Sequence, residues 1–97
     1  MVVAVHPRVL TVTSMTIDHY GDVPIYQQLA DILRKQILSG ELAPRRPIPS
    51  KKTLTQQHAI AGGTVDRAVD LLKAEGLVKT VPGRGIYVVP PNERPKN

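Results

Sequence analysis

The feature that most constrains the fold is an apolar stripe that ends at a glycine and is followed at once by a proline-rich stretch. Pro24 suits the first turn of a helix, where its missing N–H costs nothing, and Gly40 suits a left-handed cap. The stretch "APRRPIPS", residues 43–50, holds three prolines and must be extended. A helix is therefore predicted over residues 24–39. Its apolar residues recur at the spacing of one helical face: Ile25, Leu29, Ile32, Leu33 and Ile37.

Two further helices and a hairpin are predicted downstream. Ser50 can cap a short helix that reaches about His58, with Leu54 as its main apolar anchor. After the turn "AIAGG", a third helix is predicted from Thr64 to Glu75, and "LVKTV-PGRG-IYVV" predicts a β-hairpin. This order predicts an α+β, mainly α fold, the winged helix-turn-helix, in which three helices precede a β-hairpin wing. The apolar face of the third helix consists of Val65, Ala68, Val69 and Leu72.

These patterns predict one small domain with a segment on either side. Residues 22–89 form the domain, whose core is modest because the chain has only 97 residues. Residues 1–21 carry no helical stripe and are predicted to be a flexible arm, with a strand around residues 9–12. Residues 90–97 are predicted to be a flexible Pro-rich tail or linker. Met15 is a second candidate for the natural start.

Positive charge is concentrated in two stretches of the sequence. The chain has 13 Lys and Arg against 8 Asp and Glu, a net charge of +5. Residues 42–65 contain no acidic residue, and residues 79–97 contain Glu93 alone. Such localised charge favours a polyanion as partner, nucleic acid before membrane, although a solvated basic surface is the alternative. The basic residues of the two stretches are Arg45, Arg46, Lys51, Lys52, Lys79, Arg84, Arg94 and Lys96.

Several classes of function are disfavoured by the composition. The absence of cysteine excludes disulfides, thiolate zinc sites and cysteine nucleophiles. The three histidines, His6, His19 and His58, lie in different segments without metal spacing or a catalytic motif, so neither an enzyme nor a cofactor is expected. The chain also shows no long apolar run and no signal peptide. A soluble, cytoplasmic protein is predicted.

Four stretches together resemble the DNA-binding domain of the GntR family of bacterial transcriptional regulators. They are "PIYQQLADILRKQILSGEL", "IPS" followed by basic residues, "TVDRAVDLLKAEGLV" and "GRGIYVV", and they span Pro24 to Val89. The resemblance implies a cytoplasmic repressor or activator that binds an operator as a homodimer, with palindromic or repeated half-sites. Because eight residues after Val89 cannot form a metabolite-sensing domain, we expect a stand-alone protein or the amino-terminal domain of a longer regulator. A compact branch that represses conjugative transfer on actinobacterial plasmids is similar.

The start of the third helix is the expected reading element, since the first turn of that helix meets base edges in the major groove. The resemblance implies arginine at the positions of Gly62 and Asp66, so two strong arginine–guanine contacts, worth about 1–3 kcal/mol each, are missing. Gly62 and Gly63 either let backbone N–H groups face a phosphate or supply the positive φ of a tight turn. Thr64 either contacts a base or phosphate or caps the helix.

Asp66 and Arg67 also allow two interpretations each. Asp66 either accepts a hydrogen bond from a cytosine amine or stabilises the positive end of the helix dipole, and the second is preferred. Arg67 is predicted to contact a phosphate, with a surface ion pair to Asp70 as the alternative.

The second helix and the wing supply the remaining candidates. Ser50, Lys51 and Lys52 stand where the family contacts the DNA backbone, with Lys51 in place of its usual Glu and Lys52 in place of its usual Arg. Both lysines are predicted to bind phosphates, which carry little sequence information, rather than to be idle on the surface. The role of Arg45 and Arg46, which replace the family's usual Gly, stays open.

In the wing, Gly83 permits the turn, and Arg84 is predicted to enter a minor groove rather than lie free in solvent. Lys79 and Thr80 are predicted to touch phosphates.

The functional prediction is therefore a sequence-specific DNA-binding transcriptional regulator, a repressor that acts through double-stranded operator DNA. The alternative is a winged-helix module that binds protein without specific DNA binding. The missing arginines and the acidic residues Asp66 and Asp70 favour that alternative. The basic residues Lys51, Lys52 and Arg84, which come from separate segments, favour DNA.

Overall fold

The computed structural model of the chain describes residues 16–95. Within this range three α-helices are followed by a two-stranded antiparallel sheet and a final 3₁₀ turn. The predicted winged helix-turn-helix fold is thereby confirmed. The predicted strand around residues 9–12 lies outside the described residues. The elements are α1 (Ile25–Ser39), α2 (Lys51–His58), α3 (Gly62–Ala74), β1 (Val78–Val81), β2 (Gly85–Val88) and the 3₁₀ turn (Pro91–Glu93).

Helix α1 has the boundaries that its sequence dictates. Pro24 precedes it as N-cap, and the Pro24 carbonyl accepts hydrogen bonds from the N–H groups of Gln27 and Gln28 at 3.1 and 3.2 Å. At the other end, Gly40 adopts φ 89° and donates its N–H to the carbonyl of Ile37 at 3.2 Å. Glycine reaches this left-handed conformation without the steric cost of a Cβ, so the predicted C-cap is confirmed.

The proline-rich connection runs beside the hairpin and adds backbone hydrogen bonds to its second strand. Ile48 donates its N–H to the carbonyl of Ile86, and Val88 donates to the carbonyl of Arg46, both at 2.9 Å. Prolines cannot donate to such a ladder, but the residues between them can. The prediction that the whole connection is extended is wrong at residues 44–46, which form a turn and a bend with Arg45 at a left-handed φ of 65°, whereas residues 47–50 contain no turn.

The turn between α2 and α3 differs from the sequence prediction. Helix α3 begins at Gly62, two residues earlier than predicted, and its N-cap is Ala61 without a side-chain cap. Thr64 therefore lies inside the helix, and the interpretation that it caps α3 is wrong. The left-handed residue of the turn is Ala59, at φ 55°, and neither Gly62 nor Gly63 has positive φ. The interpretation that one of these glycines supplies a positive φ is therefore also wrong.

The core lies where α1 packs across α3, closed by α2 on one side and the hairpin on another. Leu33 of α1 and Leu72 of α3 are essentially inaccessible, as are Leu54 of α2 and Val88 of β2. Ile17, from the segment predicted to be a flexible arm, is also buried in this cluster. Residues 16–21 therefore include part of the core, whereas residues 1–15 lie outside the described range.

The residues after β2 have a defined local conformation up to residue 95. Arg94 donates its Nε–H to the carbonyl of Val89 at 3.0 Å, and Arg45 forms an ion pair with Glu93 at 2.9 Å. The flexibility predicted for residues 90–97 stays a prediction. The contacts nevertheless tie the first residues after the hairpin to the rest of the domain.

A bidentate ion pair fastens the end of α3 to α1. Arg34 donates from Nε and Nη2 to the two carboxylate oxygens of Glu75 at 2.8 and 2.7 Å. The hydrogen bond to Glu75 is the main cause that raises the pKa of Arg34, against a smaller opposing effect of burial. The planar guanidinium matches the carboxylate, so this pair fixes the relative position of the two helices as well as adding attraction.

Truncation of a core leucine on α1 is expected to destabilise the domain strongly. Leu33→Ala should lower the free energy of unfolding by about 2–5 kcal/mol, because the cavity is enclosed by α3. Leu38→Ala is the matched control on the same helix, since Leu38 is 62% exposed. Urea unfolding followed by circular dichroism measures both. Equal losses for the two variants would contradict the assigned core.

The stability of the domain is expected to fall in mild acid because of His58. Burial is the main cause that lowers the pKa of His58, and the nearby His19 adds a smaller contribution. Because the folded pKa lies below the unfolded value of about 6.5, the stabilisation is present above pH 6.5 and is lost as pH falls through the folded pKa. Replacing His58 by Gln should make the melting temperature fall less between pH 7.5 and pH 5, as measured by thermal denaturation. An unchanged pH profile would contradict this assignment.

Candidate nucleic-acid interface

A cleft of about 500 Å³ opens between the start of α2, the exposed face of α3 and the hairpin. We call it the reading cleft. Its floor is apolar, with Leu54 and Val65, and its rim is charged. Of the predicted site residues, the structure brings Ser50 and Lys51 of α2 together with Arg84 of the wing at this cleft. The charged rim consists of Lys51, Asp66, Asp70, Lys73 and Arg84.

Helix α2 begins where Ser50 places it. The Ser50 hydroxyl oxygen accepts the N–H of Thr53 at 3.1 Å, which confirms the predicted N-cap. The cap fixes the first turn of α2, so Lys51 and Lys52 start from a rigid backbone. Both lysines are exposed, and Lys52 forms no ion pair with any residue in the range 16–95.

Lys51 reaches across to α3, although its side chain stays largely exposed. Its Nζ lies 3.0 Å from Oδ2 of Asp66, an ion pair that joins α2 to α3. A Cβ placed on Gly62 would lie 2.7 Å from the Cε atom of Lys51, which is closer than real contacts allow. The missing side chain of Gly62 therefore provides the space through which Lys51 passes. This pairing was not predicted, although the opposite charges of Lys51 and Asp66 were visible in the sequence.

The other two residues at the start of α3 are open to solution in different degrees. A Cβ on Gly63 would have no atom of the described residues within 4 Å, and Thr64 is half-buried. The N–H groups of Gly62 and Gly63 lie in the first turn, where a helix offers them no acceptor of its own. They remain suited to bind an anion, and contact of Thr64 with a base or phosphate stays a prediction.

Arg67 is held against α1 by an aromatic ring. Its guanidinium carbon lies 4.0 Å from the centroid of the Tyr26 ring, a cation–π contact. The alternative interpretation, an ion pair with Asp70, is wrong, since no such pair occurs within residues 16–95. The ring occupies one face of the guanidinium and leaves its N–H groups free to donate in the plane. Contact of Arg67 with a phosphate therefore stays a prediction.

The hairpin places its basic residues on two different sides. Arg84 lies in the turn, where its N–H donates to the carbonyl of Val81 at 2.9 Å and Gly83 adopts φ 76°. Thr80 pairs with Ile86 of β2 and shares its face of the hairpin. Lys79 pairs with Tyr87 on the opposite face and lines a second, smaller depression with Arg45. The structure therefore does not bring Lys79 to the reading cleft.

Two further properties bear on function within the described part of the chain. Among residues 16–95, no group of three or more His, Asp or Glu side chains is placed to hold a metal ion. No helix in the same range combines the length and apolar character needed to cross a membrane.

The architecture and its likeness to solved structures define the class. Three helices followed by a two-stranded wing form a winged helix-turn-helix domain, and solved structures of this class are similar. The GntR-family transcription factor YtrA from Sulfolobus acidocaldarius matches with a TM-score of 0.71 at 33% identity, covering 78% of this chain and 80% of that one. The DNA-binding domain of AraR in complex with operator ORX1 matches with a TM-score of 0.71 at 26% identity, covering 77% and 96%.

The sequence comparisons identify the family. The profile of "Bacterial regulatory proteins, gntR family" matches residues 25–88, so the chain belongs to the gntR family. The HTH-type transcriptional repressor NagR of Bacillus subtilis is 39% identical over 77 residues, which cover 79% of this chain and 32% of NagR. The repressor YtrA of Bacillus subtilis is 32% identical over 72 residues, which cover 74% of this chain and 55% of YtrA. The chain thus spans about a third to a half of these two relatives.

Alanine at the two glycines that begin α3 is expected to have different effects. Gly63→Ala should stabilise the domain by up to about 1 kcal/mol, because alanine favours a helix and the site is open. Gly62→Ala should gain less, because Lys51 has to move aside. Urea unfolding of the two variants gives the comparison. A larger gain in the free energy of unfolding for Gly62→Ala than for Gly63→Ala would contradict the position of the Lys51 side chain over Gly62.

Proposed function

We propose that the chain is a sequence-specific DNA-binding domain of a transcriptional repressor, which binds double-stranded operator DNA through the reading cleft. The observation that carries the proposal is the convergence of Lys51 from α2, the charged side chains of α3 (Asp66, Asp70 and Lys73) and Arg84 from the wing on one surface. The AraR domain has the same fold and has been solved in complex with operators, which supports the proposal that this chain binds DNA.

The proposed docking follows from the size of the grooves. The major groove of B-DNA, about 12 Å wide, admits one α-helix, and α3 exposes Gly63, Asp66 and Arg67 on the side away from the core. With α3 in the major groove, the hairpin tip lies beside it, where Arg84 reaches the adjacent minor groove, whose negative potential attracts a cation. The free N–H groups of Gly62 and Gly63 face the phosphates at the groove edge.

Phosphate contacts supply most of the affinity in this proposal. Lys52 and Arg67 supply further donors from α2 and α3, and Ser50 and Thr80 extend the contact to neighbouring phosphates. Lys79 lies on the opposite face of the hairpin and has no part in this docking. Such contacts position the protein without selecting sequence. Sequence choice then depends on the few side chains that reach base edges and on the shape of the DNA.

The oligomeric state and the cellular location proposed for the protein follow from the same function. Two copies bind palindromic or repeated half-sites as a homodimer on DNA, since the two-fold symmetry of an operator mirrors that of its protein. The domain acts without a catalytic step, and the setting is the cytoplasm, where bacterial operators are found.

A protein-binding module is the second candidate. The apolar floor of the reading cleft and the acidic side chains of Asp66 and Asp70 on its rim favour it. A gel shift with genomic fragments that include the promoter of its own gene separates the two. A retarded fragment that resists excess unrelated DNA supports an operator-binding protein, whereas no retardation at any concentration supports the protein-binding module.

Binding to DNA is expected to weaken steeply with salt. About five phosphate contacts per subunit predict a slope of roughly −4.5 per subunit in log affinity against log salt concentration. Lys52→Ala should make the slope shallower by about one, because one phosphate contact is lost. Lys35→Ala is the matched control, since Lys35 pairs with Asp31 on α1 and carries the same charge. Fluorescence anisotropy with a labelled duplex measures the slopes, and a slope near zero for the unmodified chain would overturn the proposal.

A further inference from the structure

The Lys51–Asp66 ion pair lies on the surface proposed to face DNA, although it is not needed to hold the fold together. The two side chains are 57% and 60% exposed, and exposed pairs contribute little to stability. A carboxylate at this surface also repels phosphate. Asp66 is the fifth residue of α3, and the first turn of this helix has no acidic residue, so the preferred interpretation that Asp66 stabilises the helix dipole from the first turn is wrong. Since neither stability nor general DNA affinity accounts for Asp66, the ion pair requires a different explanation.

The geometry separates Lys51 from its neighbour Lys52. Lys51 passes over Gly62 and reaches Asp66 on α3, whereas Lys52 has no ionic partner in the described part of the chain. The ammonium group of Lys51 therefore lies beside Asp66 on α3, the helix proposed to enter the major groove, whereas a lysine that only bound phosphate would need no carboxylate beside it.

The pair presents a specific pattern of donors and acceptors. The Lys51 ammonium has three N–H donors, and the contact with Asp66 uses one of them, which leaves two. The Asp66 carboxylate keeps Oδ1 as an acceptor, because Lys51 contacts Oδ2. Two donors beside one acceptor complement two acceptors beside one donor.

Only one kind of base pair offers that complement in the major groove. A G·C pair shows the N7 and O6 acceptors of guanine next to the N4 amine of cytosine, whereas an A·T pair interrupts its two acceptors with the N6 amine of adenine. Lysine binds the guanine acceptors and aspartate accepts from the cytosine amine. Each partner of the ion pair therefore matches one base of the same pair.

We propose that Lys51 and Asp66 act as one base-reading unit, held together over Gly62, that selects a G·C pair in each half-site of the operator. This proposal rests on the proposed function, because it assigns specificity within the same reading cleft. It predicts that Lys51 and Lys52, adjacent in sequence and equal in charge, have separable roles. Lys51 selects sequence, and Lys52 adds affinity for any duplex.

The test begins by selecting bound duplexes from a random DNA pool with the unmodified chain. The preferred half-site should contain an invariant G·C pair, and changing that pair to A·T should weaken binding about tenfold. Lys51→Met should bind both duplexes within about twofold of each other, and Asp66→Asn should lose the same discrimination. Lys52→Met is the matched control, which should bind more weakly but keep the tenfold preference. Affinities come from anisotropy competition, and circular dichroism checks that each variant is folded.

The outcomes separate this proposal from the proposed function. If the unmodified chain selects no duplex at all, the proposed function fails. If it selects a half-site but Lys51→Met and Lys52→Met keep the same preference at every base pair, the proposed function stands and the base-reading unit is overturned. Lys51→Gln, which keeps a polar side chain, is a second variant in case Lys51→Met does not fold.

Discussion

The packing of α3 across α1 is the constraint on which the rest of the structure depends. Leu29 and Leu33 of α1 belong to the same core cluster as Ala68 and Leu72 of α3, and all four side chains are almost completely buried. Because the residues of a helix that lie three and four apart share a face, burying this face leaves Gly63, Asp66 and Arg67 outside. The proposed DNA-reading surface is thus the face of α3 that points away from the core. The bidentate pair between Arg34 and Glu75 joins the end of α3 to α1.

The basic residues at the reading cleft and on the neighbouring faces of α2 and α3 differ in their partners. Lys51 pairs with Asp66, Arg67 lies over the ring of Tyr26, and Lys52 has no ionic partner in residues 16–95. A cation held by a neighbour loses less side-chain freedom on binding than a mobile one, which favours specific contacts. The resemblance implies arginines at two positions of α3 where this chain has Gly62 and Asp66. In this chain the fixed cation at that point comes from α2 instead, which preserves a donor near the first turn of α3.

Much of the fold follows from the sequence, and the reasons are local. Three features depend on only a few neighbouring residues each, and the sequence predicted them correctly: the apolar stripe of α1, the Gly40 cap and the Ser50 cap. The start of α3 was misplaced because its glycines read as a turn, whereas the turn depends on Ala59 in a conformation that alanine rarely adopts. The pairs Lys51–Asp66 and Arg67–Tyr26 join different helices, so no spacing within one segment indicates them. The fold class was accessible from sequence, but the charge pairing at the proposed site needed tertiary structure.

The most direct test of the central claim is to map the contact surface by NMR on the isotopically labelled chain during titration with a selected duplex. Backbone amides of residues 50–52, 62–67 and 83–85 should show the largest chemical-shift changes. Amides of residues 35–40, on the far end of α1, should change least. Changes concentrated at residues 35–40, or an absence of changes at saturating duplex, would contradict the account in which the reading cleft is the DNA-binding surface.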